Sequence, residues 1–127
     1  MAFEHDLKCI SLVAAADLSA KQFTFIVVDS NGKAAANTTA GGNVVGVLQN
    51  KPEAGQIAEV AYEGVTKIQF GATITPDDLL MSTTAGKADV AVAAASPGNF
   101  ARGQALSGGA DGEIGTMLLA PTGYLNT

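Results

Sequence analysis

The sequence predicts an all-β chain: a compact β-barrel or β-sandwich of short strands, with minor helical turns and an extended N-terminal arm. Three observations carry this expectation. Apolar residues alternate with period two along most of the chain, clusters of Gly, Asn, Asp and Pro interrupt that alternation at short intervals, and helical alternatives are few. The boundaries divide an arm over 1–13, a β domain over 14–121 and a tail over 122–127.

The elements follow in order. Phe23, Phe25 and Val27 alternate with Thr24, Ile26 and Val28, and this strand ends at the turn-prone Asp29-Ser30-Asn31-Gly32. A second strand, Val44 to Leu48, follows Gly41-Gly42-Asn43 and stops before Pro52, which has no N–H for a ladder. Alternation then runs over Ile57 to Tyr62 and Val65 to Phe70, with Glu63-Gly64 as a corner between two strands. Later strands are expected over Lys87 to Val92, Phe100 to Leu106 and Glu113 to Ala120, divided by Ser96-Pro97-Gly98-Asn99 and Gly108-Gly109-Ala110-Asp111-Gly112. Short helical turns are expected after Asp17, through Leu18 to Lys21, and after Pro76, through Asp77 to Leu80. The aromatic residues Phe23, Phe25, Tyr62, Phe70 and Phe100 fall on alternating strand positions and read as core.

Two halves echo one another. Gly32-Lys33-Ala34 recurs as Gly86-Lys87-Ala88, Gly46 and Leu48 have counterparts in Gly103 and Leu106, and Ala54-Gly55-Gln56-Ile57 matches Asp111-Gly112-Glu113-Ile114. The period is about 55 residues. A duplicated unit explains this, and so does the general likeness of glycine-turn-and-strand segments.

Composition limits the chemistry. The chain has 127 residues, enough for one core, but aromatics are only 6% and Trp is absent, so each buried position contributes little apolar area. Burial between subunits is a common remedy. The net charge is −5 and the seven Lys and Arg residues are scattered, which disfavours nucleic acid and anionic membranes as partners. No apolar run approaches the ~20 residues of a membrane span. One cysteine, Cys9, permits no internal disulfide, and a reducing cytoplasm is the simplest site of synthesis. The run Cys9 to Ala16 imitates a signal-peptide core, yet Glu4 and Asp6 precede it where basic residues belong.

No catalytic, cofactor or metal site is expected. His5 is the only histidine, and with Cys9 it makes two ligands at most, so an ordinary terminal arm is the plainer reading. Asp77-Asp78 and Asp111/Glu113 read as turn and capping chemistry rather than paired acid and base. Gly32-Lys33-Ala34 and Gly86-Lys87-Ala88 lack the Ser or Thr and the upstream glycine of a phosphate loop. Phe3, His5 and Leu7 in the arm and Tyr124 in the tail are the candidate assembly contacts.

Taken in order, the segments Ala15-Ala16-Asp17-Leu18-Ser19-Ala20-Lys21-Gln22-Phe23, Val45-Gly46-Val47-Leu48-Gln49-Asn50-Lys51-Pro52 and Ala58 to Lys67 resemble the capsid cement proteins of tailed double-stranded DNA phages. The likeness continues through Ile74 to Leu80 and Gly103 to Leu106 to Ile114-Gly115-Thr116-Met117-Leu118-Leu119. The resemblance implies a β domain that clusters, usually as a homotrimer, on the outer surface of the expanded head and holds major capsid protein subunits together. It transfers no active-site residue. The arm would then add a β-strand to a neighbouring subunit or to the capsid. Two other classes compete: a carbohydrate- or receptor-binding β-sandwich of a phage surface structure, short of aromatics for stacking on sugars, and a small hydrolase or isomerase, short of clustered acid and base.

Overall fold

Alternating apolar residues broken by Gly, Asn and Pro make short strands, and their antiparallel pairing joins them into a single curled sheet. The computed structural model describes residues 2, 4–93 and 98–125. It contains β1 (His5–Val13), β2 (Phe25–Val28), β3 (Ala34–Ala36), β4 (Gly46–Leu48), β5 (Ile57–Gln69), β6 (Leu79–Ser82), β7 (Ala88–Val90), β8 (Asn99–Ala105) and β9 (Ile114–Leu125). No helix occurs among the described residues. The strand order is β3-β2-β4-β5-β9-β8-β6-β7, with β1 also on β5, and all strand pairings are antiparallel.

The all-β expectation holds, with local corrections. The two strands expected on either side of Glu63-Gly64 are one, because β5 passes through that corner without reversing. Gly64 instead accommodates a crossing: its φ is +116°, and a Cβ there would run into the backbone of Asp6 and Leu7. The segment after Pro76 is a turn, closed by Asp78 N–H donating to the Thr75 carbonyl at 3.1 Å, and it leads into β6 rather than a helix. Alanine's helix preference yields to pairing at β3, where Ala34 and Ala36 face Val28 and Ile26. Of the aromatics, Phe25 and Phe70 are fully buried, Phe23 and Phe100 are partly buried, and Tyr62 is 39% exposed.

The echo in the sequence is a structural repeat. The first unit is β1, β2, β3, β4 and the first half of β5; the second is the rest of β5, β6, β7, β8 and the start of β9. Registers repeat pair for pair: Leu12–Ala58 as Ile68–Gly115, Ile26–Ala36 as Leu80–Val90, Phe25–Val47 as Leu79–Gln104, and Leu48–Val60 as Ala105–Met117. Leu48 therefore corresponds to Ala105, one residue before the Leu106 that the sequence pattern indicated. Loop bonds repeat too. Leu18 N–H reaches the Pro52 carbonyl as Ile74 N–H reaches that of Gly109, each at 2.9 Å, and Asp29 N–H reaches Lys33 as Thr83 N–H reaches Lys87. Phe23 and Asp77, equivalent positions, both have positive φ.

Each unit curls until its first strand touches its third, through the parallel bridges Ala14–Ala34 and Phe70–Ala88. Inside the first lie Ala14, Leu18, Ile26, Ala34, Leu48, Ala58 and Val60, with Ile10 and Leu12 packed against them. The second holds the equivalent Phe70, Ile74, Leu80, Ala88, Ala105 and Met117, and its core runs on into Phe25, Val44, Val47 and Ala61, which lie on the outer side of the first unit. Residues 25, 47 and 61 neighbour 26, 48 and 60, so the first unit is packed on both faces of its sheet.

Candidate interaction surface

The arm from His5 to Val13 forms β1, and β1 lies on β5 of its own chain. The sheet edge there is split: β9 takes β5 from Gly64 to Gln69, and β1 takes it from Ile57 to Ala61, with irregular pairing beyond, towards Val65. Where the two part, a notch of about 650 Å³ opens between Asp6, Leu7 and Lys8 on one side and Leu118, Leu119 and Ala120 on the other, floored by Glu63 and Gly64. Lys8 Nζ bridges the Glu63 carboxylate at 3.1 Å, and this partner raises the Lys8 pKa.

The candidate contacts are spread out. Leu7 is partly buried against the larger core. His5 sits opposite Val65 at the far end of β1, its side chain 71% exposed and 3.2 Å from Asp6. Tyr124 pairs with Phe100 through the backbone near the end of β9, away from β1 in the ladder. Phe3 lies outside the described residues. His5 and Leu7 thus belong to one edge, and Tyr124 to another.

The outer edge of β1 was not marked by any sequence motif. Ala14 N–H donates to the Gln56 carbonyl and Ala15 N–H to the Ala34 carbonyl on the other side. By strand alternation the N–H and C=O groups of Ser11 point away from β5, and among the described residues no strand pairs with them, whereas the Val13 carbonyl faces Ala34 of β3 across the Ala14–Ala34 bridge. Unpaired backbone on an exposed strand is a template for a further strand.

The groups weighed for chemistry are engaged elsewhere. Asp78 Oδ2 accepts from Thr75 N–H at 2.9 Å, Asp77 Oδ1 from Gln104 Nε2 at 2.6 Å, and Glu113 Oε1 from Ala110 N–H at 2.5 Å; each holds a turn or its flank. Partial burial pushes the Cys9 thiol up, and the Glu59 and Glu4 carboxylates add to this, the opposite of what a reactive thiolate needs. No group of three His, Cys, Asp or Glu is placed to hold a metal among the described residues. A second hollow of about 550 Å³ lies between the loop over residues 37–43 and Asn99 and Phe100. Its wall is fixed by Asn37, 3% exposed, whose Nδ2 donates to Ser82 Oγ and to the Thr39 carbonyl, each at 2.7 Å.

The fold and surface define a class: a helix-free tandem of two curled β units sharing one long strand, with an open edge strand and no gathered polar chemistry among the described residues. A solved structure with this fold is the head fiber gp8.5 N base of bacteriophage phi29, which aligns with a TM-score of 0.67 at 12% identity over 91% of this chain and 95% of that one. No protein-family model matches the sequence, and no curated protein matches it.

Proposed function

We propose that this chain is a structural protein of a phage virion, a cement protein that binds the outside of the expanded head and stabilises contacts between major capsid protein subunits. The observation that carries the reading is the near-complete overlap of its fold with a phage head fiber base, in a chain where Asp77, Asp78 and Glu113 hold turns or their flanks. The resemblance of the sequence to cement proteins points the same way. Such a protein works without catalysis: binding only the assembled lattice shifts the equilibrium towards that lattice. A homotrimer would multiply weak contacts through effective concentration. The open edge of β1, carrying His5 and Leu7, is the surface through which a capsid strand would be added.

The test mixes purified protein with expanded heads that lack decoration and images them. Attachment at regular lattice positions is expected, and bare heads at saturating protein would refute the reading. Ser11→Pro tests the edge, because it removes an N–H that points away from β5 while leaving the ladder to β5 intact. Heads should bind this variant at least roughly tenfold more weakly. Unchanged binding would remove β1 from the contact.

A further inference from the structure

Two copies of one unit in one chain allow each surface to be compared with its equivalent, and one difference is large. In the first unit Phe25, Val47 and Ala61 lie in register across β2, β4 and β5 and are fully buried beneath the second unit. The same positions of the second unit are Leu79, Gln104 and Leu118, in register across β6, β8 and β9. There Leu79 and Leu118 are each 40% exposed, and Leu106, two residues beyond Gln104, is 46% exposed. Leu106 takes the place of Gln49, whose Nε2 in the first unit reaches Thr66 Oγ1 of the second at 2.8 Å. A face covered in one unit is open in the other.

The covering side shows the reverse. The second unit grips the first with Gln69, whose N–H donates to the Phe23 carbonyl at 2.8 Å, with Ser82, whose carbonyl accepts from Gly41 N–H at 2.7 Å, and with Gly86, whose carbonyl accepts from Phe25 N–H at 2.7 Å. Ser82 is fully buried. The matching positions in the first unit are Val13, Val28 and Gly32, and here Val13 is 38% and Val28 45% exposed. The contact between units is therefore heterologous, made by different patches on the two sides. It leaves a receiving face free on the second unit and a gripping edge free on the first.

We propose that these free surfaces meet between copies of this chain: the face of Leu79, Leu106 and Leu118 on one copy receives the edge of Val13 and Val28 on the next, in the manner of the contact within the chain. Heterologous contacts build a ring when their rotation closes, and a chain carrying one of each free surface supplies both sides of every junction. Five large apolar side chains exposed to water gain burial there. The inference adds a surface to the self-association proposed above and needs no capsid for its test.

Sedimentation velocity of the full chain, alone, over a range of concentrations is the experiment. Wild type should form a discrete oligomer, while Leu118→Glu and Val28→Glu should each sediment as a folded monomer, with strand circular dichroism and thermal midpoint retained. Mixing the two variants should give a one-to-one dimer and nothing larger, since one good receiving face and one good gripping edge remain in that pair. A wild type that stays monomeric, an oligomer that survives both substitutions, or variants that fail to pair on mixing would each overturn it. Head binding is scored separately: monomeric Leu118→Glu that still decorates heads leaves the head reading standing, and an oligomer that decorates nothing leaves the surface standing.

Discussion

Phe70 and Gly115 stand where the first unit has Ala14 and Ala58, a large-plus-none pair replacing two small residues at one place in the core. A Cβ on Gly115 would collide with the Phe70 ring, so the glycine is there for packing. Gly115→Ala should therefore cost about 1–3 kcal/mol from overpacking, and Phe70→Ala about 3–5 kcal/mol from the cavity. Combined, they recreate the pair of the first unit, and the glycine substitution should lose its cost. Urea unfolding of the four proteins closes the double-mutant cycle, and additive losses would contradict the steric account. Charge at this scale works locally. Asp17 is held below the ordinary carboxylate range first by the Ser19 side chain and then by Ser19 N–H, which donates to it at 3.0 Å. A depressed folded-state pKa stabilises the fold above the unfolded value, and that contribution is lost as pH falls through the folded value. The stability gap between wild type and Asp17→Ala should be constant near neutrality and close below about pH 4. A gap that persists at pH 2 would assign it to something other than the carboxylate.

At the scale of elements, β1 is the first strand of a unit as well as an arm. Ile10 and Leu12 pack on the core of Ala58 and Val60, just as Ile68, at the position of Leu12, packs in the second unit. Removing residues 2–13 should therefore lower the unfolding midpoint sharply as well as abolish head binding. A truncated chain melting at the wild-type temperature would show that β1 contributes binding alone. This double role explains what the sequence made legible and what it did not. Strands bounded by Gly, Pro and Asn turns, such as β2, β4 and β8, could be read from alternation and punctuation. Three others could not: β1 carries neither a turn signal nor a clean alternation, β3 is three alanines that only their partners make a strand, and β6 begins behind Pro76, which suits a helix start as well. The period of about 55 residues was visible in Gly32-Lys33-Ala34 and Gly86-Lys87-Ala88. That both units share β5 was hidden, because Glu63-Gly64 has the composition of a turn and is kept in the ladder by Asp6 and Leu7 crossing over it. His5 and Leu7 could be singled out as arm residues, but the open edge beside Ser11 is a property of pairing, which no single segment encodes.

The whole molecule poses the question whether two equivalent units behave as two domains. Repeat proteins with nearest-neighbour contacts alone can unfold piecewise. Here the units share covalent and hydrogen-bonded structure: the first half of β5 closes the first unit, its second half opens the second, and the core of the second continues into Phe25, Val47 and Ala61 of the first. Asn37 of the first unit also donates to Ser82 of the second across a buried junction. Opening either unit alone would expose that joint core and break the ladder of the other. Leu48 and Leu80, both fully buried, belong to different units. Leu48→Ala and Leu80→Ala should each cost about 2–5 kcal/mol. In calorimetry each should lower one and the same transition by several degrees or more, with the calorimetric enthalpy equal to the van't Hoff value. If Leu48→Ala split the melt so that one step kept the wild-type midpoint, the second unit would be shown to stand without the first. The shared strand would then be a tether, and the oligomer contact argued above would have to be judged for a molecule whose two halves move independently.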